Sequence, residues 1–145
     1  MKTDTNDPKT PGHQLREAAL SGDLGKLAHL VRGGVSANER DAFNNTALLH
    51  AARRGKLDCV RFLIDNGADV NIANDSGYTP LICAVIIGEY EIVKMLLNAN
   101  AEAWHTLKNE DDPAAPPQTA LDLAEYRHHD KVVELLKGAE ALQAA

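Results

Sequence analysis

A short pattern of residues recurs along this chain at a fixed spacing, and this repetition constrains the fold more than any other feature. The segment Thr46-Ala47-Leu48, followed by Ala51-Ala52, returns as Thr79-Pro80-Leu81, followed by Ala84-Val85, at an offset of 33 residues. Self-similarity at a period of about 20–50 residues is the signature of arrays in which each unit stacks on its neighbours. We therefore expect a stacked solenoid with a continuous core.

Two more copies of the pattern flank this central pair. One period back, Leu15 and Ala18-Ala19 restore the skeleton of an opening repeat whose front half is degenerate. Forward from Thr79, the next Thr-Ala-Leu begins at Thr119, which is 40 residues away instead of 33. The extra residues predict an insertion between the third and fourth repeats, within residues 104–118.

Each repeat carries the signals of a helix-turn-helix pair. Thr46, Thr79 and Thr119 precede apolar runs, and a threonine in that place can cap the first backbone N–H groups of a helix. Apolar residues at helical spacing predict second helices over about 57–65 and 90–98. Where the second helices end, left-handed backbone is expected, which Gly and Asn tolerate. The residues at these exits are Gly34, Gly67 and Asn100.

The segments from Thr46 to Asp75 and from Ser76 to Glu102 resemble ankyrin repeats, a family with a period of about 33 residues and a Thr-Pro-Leu-His signature. The resemblance covers roughly residues 12–138. It implies an all-α fold, an ankyrin-repeat solenoid of about four helix-turn-helix repeats joined by β-turn fingers. The repeats are expected at about 12–40, 41–73, 74–106 and 114–138, between a disordered N-terminal tail at 1–11 and a C-terminal tail at 139–145.

The chain departs from the family signature at its histidine. Leu49, Ile82 and Asp122 stand in that position, so the Thr–His hydrogen bonding typical of the family cannot form. In the last repeat, Asp122 is expected to accept a hydrogen bond from Thr119 instead. His50 lies one position late, and we interpret it as a partly packed surface side chain rather than a functional group.

By the same resemblance, ankyrin proteins bind partners on their concave side, which the fingers and the exposed face of the inner helices form. Aromatic residues and arginines are frequent interface anchors, and several fall at these positions. For the two isoleucines of this set, packing between repeats is the alternative interpretation. The candidate protein-binding residues are Phe43, Arg53, Arg54, Tyr78, Ile86, Ile87, Tyr126 and Arg127. The expected partner is another protein with an acidic or carboxylate-rimmed apolar surface.

Charge and motifs exclude several other functions. A formal net charge of -6 argues against a general nucleic-acid binder, because phosphate neutralisation needs an excess of Lys and Arg on one face. The sequence contains no phosphate-binding G-x-x-x-x-G-K-[ST] loop, no G-x-S-x-G elbow and no H-E-x-x-H motif. We therefore predict no enzymatic activity and no cofactor. No stretch approaches 18 consecutive apolar residues, so we expect no membrane partner and a cytoplasmic monomer.

Three local features could be mistaken for reactive sites. Cys59 and Cys83 lie in apolar runs without C-x-x-C spacing and are interpreted as buried, reduced thiols. The cluster His128-His129-Asp130 is the one group that could attract a metal, and we interpret it as the turn between the last two helices. The acids Glu110-Asp111-Asp112 lie in a Pro-rich stretch and are interpreted as solvated. No metal site is predicted.

The sequence favours a protein-binding module over three alternatives. One is a dedicated inhibitor or immunity-type partner of a single enzyme. Another is an enzyme that uses the 104–118 insertion as a lid, although no nucleophile, base or cofactor motif accompanies it. The last is a self-assembling structural protein. The insertion itself is expected to be an ordered or partly ordered loop on the finger side, with Trp104 anchoring its base.

Overall fold

The computed structural model describes residues 7–144, and these form eight α-helices and one short two-stranded sheet. Outside the described residues lie residues 1–6 of the predicted N-terminal tail and residue 145 of the predicted C-terminal tail. In chain order the elements are α1 (Pro11–Ser21), α2 (Leu24–Arg32), α3 (Ala47–Arg53), α4 (Leu57–Asp65), α5 (Pro80–Ile87), α6 (Tyr90–Asn98), β1 (Thr106–Leu107), β2 (Gln118–Thr119), α7 (Ala120–Tyr126) and α8 (Asp130–Gln143).

The helices stack in two rows, which confirms the predicted all-α solenoid. The inner row runs α1, α3, α5, α7 and the outer row α2, α4, α6, α8, with each helix contacting its neighbours in the row and its partner in the pair. Fully buried leucines run through both rows, while buried alanines such as Ala51 and Ala84 let the inner helices approach closely. The leucines are Leu15, Leu27, Leu48, Leu49, Leu63, Leu81, Leu96 and Leu136.

The predicted helix caps are confirmed. The hydroxyls of Thr46, Thr79 and Thr119 each accept a hydrogen bond from the backbone N–H three positions later, at 3.1–3.2 Å. Asp122 accepts in return from the Thr119 backbone N–H at 2.8 Å and from its hydroxyl at 2.9 Å, closing a capping box. The caps of α3, α5 and α7 therefore form without the histidine of the family signature.

The first helix begins one residue before the predicted start of the first repeat at about 12. One period before Thr46 is His13, yet α1 begins at Pro11, and the Thr10 hydroxyl accepts from the His13 backbone N–H at 3.3 Å. Thr10 is itself held by a backbone hydrogen bond to the Asp7 carbonyl at 2.9 Å. The last residue of the predicted tail is therefore helical, because the Thr10 hydroxyl caps the helix and Pro11 suits its first position.

Side-chain amides join successive repeats at the exits of the outer helices. Asn38 donates to the carbonyl of Gly67 at 3.1 Å and accepts from the N–H of Asp69 at 2.7 Å. One period later, Asn71 donates to the Asn100 carbonyl at 3.3 Å and accepts from the N–H of Glu102 at 2.9 Å. Each asparagine thus fastens the turn of the following repeat.

The last helix continues beyond the predicted end of the domain at 138. Helix α8 runs to Gln143, since the segment from Ala139 onwards is rich in helix-forming residues and no left-handed exit interrupts it. The Gln143 side chain donates to the Ala101 carbonyl at 2.9 Å and accepts from the Ala103 N–H at 3.0 Å. Most of the predicted C-terminal tail is therefore helix that packs against the third repeat.

The insertion forms a β-hairpin, with β1 and β2 paired antiparallel. Trp104 does not anchor its base as predicted, because this side chain is 54% exposed. Instead Ala103 is buried, and Leu107 packs against the core. His105 Nε2 lies 3.0 Å from the Gly77 carbonyl oxygen, within hydrogen-bonding distance. Neighbours of the predicted anchor therefore fix the hairpin on the preceding finger.

Candidate functional site

The finger before α3 is a turn organised by one carboxylate. Asp41 accepts hydrogen bonds from the N–H groups of Phe43 and Asn45, both at 2.9 Å, and from the Asn45 side chain at 3.0 Å. Partial burial alone would raise the pKa of Asp41, but these hydrogen bonds outweigh it and lower the pKa below its ordinary value. Phe43, at the tip, is left 60% exposed.

The next finger repeats this turn with an uncharged side chain. Asn74 replaces the aspartate and accepts from the Tyr78 N–H at 3.0 Å. It also donates to the Asn45 side chain at 3.0 Å, which ties the two fingers together. A second link joins the Asn44 amide to the Asp75 carboxylate at 2.7 Å. The fingers therefore form one continuous wall beside the inner helices.

A depression of about 380 Å³, here called the central pocket, lies between this wall and the inner helices. Leu49 and Cys83 are its buried members, Tyr78 and Ile86 are half-buried, and Ile87 is 41% exposed. Two exposed arginines, one at the end of α3 and one just after α7, complete it. The full lining is Leu49, Arg53, Asn74, Tyr78, Cys83, Ile86, Ile87 and Arg127.

Among the described residues, the arginines of the central pocket have no acidic partner. Neither Arg53 nor Arg127 forms an ion pair within residues 7–144, and the pairs of Arg61 with Asp58 and of Lys137 with Glu125 lie outside the pocket. Arg53 Nη2 instead lies 3.4 Å from Nδ1 of His50. Burial first, and the charge of Arg53 second, lower the pKa of His50, so its ring stays neutral and can accept that hydrogen bond.

The thiols behave as packing groups. Burial raises the pKa of Cys83 to about 11 despite the opposing charge of Arg53, and burial also raises the pKa of Cys59. Both cysteines are free and buried, which confirms the sequence interpretation. At neutral pH, Cys83 is therefore a protonated, apolar part of the pocket wall and a poor nucleophile.

A second depression, of about 580 Å³ and here called the hairpin groove, adjoins the central pocket. The two share Tyr78, Ile86 and Arg127, so the concave surface is continuous from α3 to α7. The groove adds residues from the hairpin and from α7. Its full lining is Ser76, Tyr78, Ile86, Leu107, Lys108, Asn109, Glu110, Asp111, Gln118, Leu123, Tyr126 and Arg127.

The structure brings most of the candidate residues together. Arg53, Tyr78, Ile86, Ile87 and Arg127 line the central pocket, and Tyr126, 76% exposed, lines the hairpin groove. Ile86 is half-buried and packs against the core, as the interpretation of packing between repeats expects. Ile87 is 41% exposed, as the interpretation of a binding residue expects.

The remaining two candidates lie apart from both depressions. Phe43 is on its finger tip, and Arg54 is exposed immediately after α3. The sequence analysis missed Asn74, which lies one period after the finger residue Asp41 and could have been found by that offset. It also missed the hairpin residues, for which the repeat offers no signal.

The histidines at 128 and 129 belong to a turn. His128 has a left-handed backbone, and His129 precedes α8, so this histidine pair forms the turn between the last two helices as predicted. His129 Nε2 lies 3.3 Å from the Ile86 carbonyl oxygen. Residues 7–144 hold no group of three or more His, Cys, Asp or Glu side chains arranged to bind a metal ion. Over the same residues, every helix is too short or too polar to span a bilayer.

Comparisons with known proteins agree with the repeat architecture. A family profile of ankyrin repeats, in three copies, matches residues 15–106. An ankyrin repeat protein of Rickettsia bellii is 36% identical over 124 residues, which cover 84% of this chain and 65% of that protein. Inversin of Canis lupus familiaris is 33% identical over 124 residues, covering 85% of this chain and 11% of inversin. Diacylglycerol kinase zeta of Rattus norvegicus is 31% identical over 130 residues, covering 85% of this chain and 14% of the kinase.

This chain thus spans less than two thirds of the length of each of these relatives. The matched residues extend from α1 to the start of the hairpin and include the three helix pairs that the amide bridges join. Because the profile covers more than half of the sequence and coincides with the stacked pairs, the chain belongs to the ankyrin-repeat family.

Proposed function

We propose that this chain holds a partner protein on its concave surface, with the central pocket at the centre of the contact. Ankyrin repeats are generally non-catalytic protein-interaction modules, and membership of the family supports a binding role. Fold alone does not locate a binding site, so the proposal depends on what the concave residues can do chemically.

One observation carries the proposal: two arginines without acidic partners border a pocket with an apolar floor. Leu49 and Cys83 supply buried apolar surface, and Arg53 and Arg127 supply guanidinium groups that form no ion pair within the described residues. A planar guanidinium matches a carboxylate with two parallel hydrogen bonds. The fitting partner therefore presents an apolar side chain flanked by carboxylates.

Ile87 supports the same location. It is a large apolar side chain, 41% exposed, beside a cationic rim. Burial of such a side chain against a partner stabilises the complex, while the arginines accelerate and orient the encounter. A site of this kind concentrates binding energy in a few central residues surrounded by nearly neutral contacts.

The test uses a partner captured on the immobilised chain and then purified. Isothermal titration calorimetry should show that Ile87→Asp and Arg53→Glu each weaken binding by about 1–3 kcal/mol, the range of interface hot spots. Their thermal melts should stay close to the wild type, because both side chains are substantially exposed. Lys94→Glu, an exposed charge reversal on outer helix α6, is the matched control and should bind normally. Unchanged affinity for both pocket variants would move the interface elsewhere.

Two further variants define the extent of the contact. Arg54→Glu and Phe43→Ala change sequence-level candidates that lie outside the pocket. If the contact is confined to the pocket and groove, each should weaken binding by less than about 1 kcal/mol. Larger losses would show that the interface extends along the finger tips and past the end of α3. Assaying the partner's own activity with and without this chain would separate inhibition from simple holding.

A further inference from the structure

The hairpin gives the concave surface a second wall that the repeat pattern does not supply. It is fixed at its base by Leu107 against the core and by His105 at the Gly77 carbonyl. Its loop is also folded, because the Asn109 side chain accepts from the N–H groups of Asp111 at 3.0 Å and Asp112 at 3.3 Å. The loop therefore presents its side chains to the hairpin groove from a defined position.

The two sides of the hairpin groove carry opposite charges. Glu110 and Asp111 line it from the hairpin, and their carboxylates form no hydrogen bond or ion pair within residues 7–144. Asp112 differs, since its carboxylate accepts from the Ala114 N–H at 3.1 Å. Arg127 lines the groove from the end of α7 and is equally unpaired with these acids. The positive charge of Lys108 offsets only one of the two carboxylate charges, so the hairpin side of the groove keeps a net negative charge.

Between the charged sides lies aromatic and aliphatic surface. Tyr126 is 76% exposed, Tyr78 is half-buried, and Ile86 completes the apolar surface. Tyrosine rings offer large apolar contact area with little conformational freedom to lose, and their faces attract cations. A bound side chain with a long aliphatic stem and a positive end would satisfy both the rings and the hairpin carboxylates.

We propose that the hairpin groove is a second subsite, specific for an extended segment of a partner protein that carries an apolar residue followed closely by a Lys or Arg facing Glu110 and Asp111. This rests on the proposed function, because the groove is continuous with the central pocket through Tyr78, Ile86 and Arg127. A segment crossing both depressions would meet arginines first and carboxylates second. The charges thereby favour a segment whose basic residue lies beside the hairpin carboxylates.

The probe is a phage-displayed library of random 12-residue peptides selected on the immobilised full chain. Wild-type protein should enrich peptides with an apolar residue and a nearby Lys or Arg. The double variant Glu110→Gln, Asp111→Asn should lose the enrichment of basic residues, and synthetic copies of the selected peptides should bind it about three- to tenfold more weakly. The control Asp65→Asn, Glu91→Gln removes two exposed carboxylates from the outer helices α4 and α6 and should select as the wild type does.

Circular dichroism of each variant confirms that the selections compare folded proteins. Basic residues enriched equally by the wild type and the hairpin variant would overturn the subsite. So would a failure of the wild type to select any peptide, since the occupant is an extended segment. Peptides that lack basic residues and depend on Ile87 and Arg53 but not on Glu110 would overturn the subsite and leave the proposed function standing. Peptides that depend on Glu110 and Asp111 but not on Ile87 would support the subsite and count against the central pocket.

Discussion

Side-chain amides fasten the two central repeats and the fourth repeat to their neighbours in different ways. In the centre, a side chain of one repeat fastens the turn of the next, as Asn38 and Asn71 do at an interval of 33 residues. One period after Asn71 the third repeat has Trp104 in place of the asparagine, so the series of asparagine bridges does not continue into the fourth repeat. The side-chain amide that joins the fourth repeat to the third must therefore come from outside the repeat pattern.

Gln143 provides it from the far end of the last helix. Asn71 bonds the carbonyl of Asn100 and the N–H of Glu102, while Gln143 bonds the carbonyl of Ala101 and the N–H of Ala103. The two amides thus hold alternate backbone groups of one turn from its two sides. The comparison teaches that a bridge made by equivalent residues of successive repeats recurs with the period. A bridge made from the last helix is provided by a residue that lies off the period.

The largest difference should appear when an equivalent core leucine is removed from each region. Leu63→Ala in α4 and Leu136→Ala in α8 should each lose about 2–5 kcal/mol of stability, since both side chains are fully buried. The central variant should lower the transition of the whole stack, because repeats on both sides depend on it. The terminal variant should release α7 and α8 first. Hydrogen exchange of α8 amides during urea titration distinguishes these outcomes, and identical behaviour would remove the distinction between centre and end.

Removing the two amides tests the bridges directly. Gln143→Ala should cost about 1–3 kcal/mol, because it leaves partly buried backbone groups of Ala101 and Ala103 without partners. Asn71→Ala should cost less, since its partners are exposed and can bond to water. The measurement is urea unfolding with amide exchange at Ala103. Leu142→Ala, at a neighbouring side chain that is 80% exposed, is the control. An equal effect of Leu142→Ala would mean that α8 docks without the glutamine.

The sequence could predict the features that recur in each repeat but not those that occur only once. Helical spacing of apolar residues located α4 and α6, and recurring threonines located the caps of α3, α5 and α7, because both signals depend on local chemistry that each repeat carries. The predicted repeat domain began one residue late, at 12, and ended too early, at 138. Thr10 and Gln143 act once each and lie off the period.

The candidate site shows the same limit. Positions just before the helix-ending glycines were identified by the offset, and the structure places Arg53 and Ile87 in one pocket. Arg54 is adjacent in sequence to Arg53 but lies outside the pocket, at the C-cap position where α3 has ended. The hairpin wall depends on contacts of His105 and Leu107 with distant residues, and an insertion carries no periodic signal for such contacts.

The two fingers should respond differently to acid, and the resulting effect on stability is smaller than those above. Because hydrogen bonds hold the pKa of Asp41 below its ordinary value of 3.8, the ionised carboxylate stabilises the fold above that pH, and this contribution is lost as pH falls through and below it. The equivalent Asn74 does not titrate. Stability measured by urea unfolding should therefore fall less steeply between about pH 5 and about pH 3 in Asp41→Asn than in the wild type, with a difference below about 1 kcal/mol in this exposed finger. Parallel curves would show that Asp41 contributes nothing to the acid response.

The smallest effect on stability should come from shortening the hairpin. Deletion of residues 108–114 removes only exposed residues and leaves the strand pairs and Leu107 in place. Residues 115–117 remain to close the turn between β1 and β2, and a shorter loop costs slightly less entropy to close. The free energy of unfolding should change by less than about 0.5–1 kcal/mol. Leu107→Ala is the contrasting variant and should cost more, because this side chain packs against the core. A deletion more damaging than Leu107→Ala would place the loop itself in the structural connection between the third and fourth repeats, and thermal melts of the two variants decide between these results.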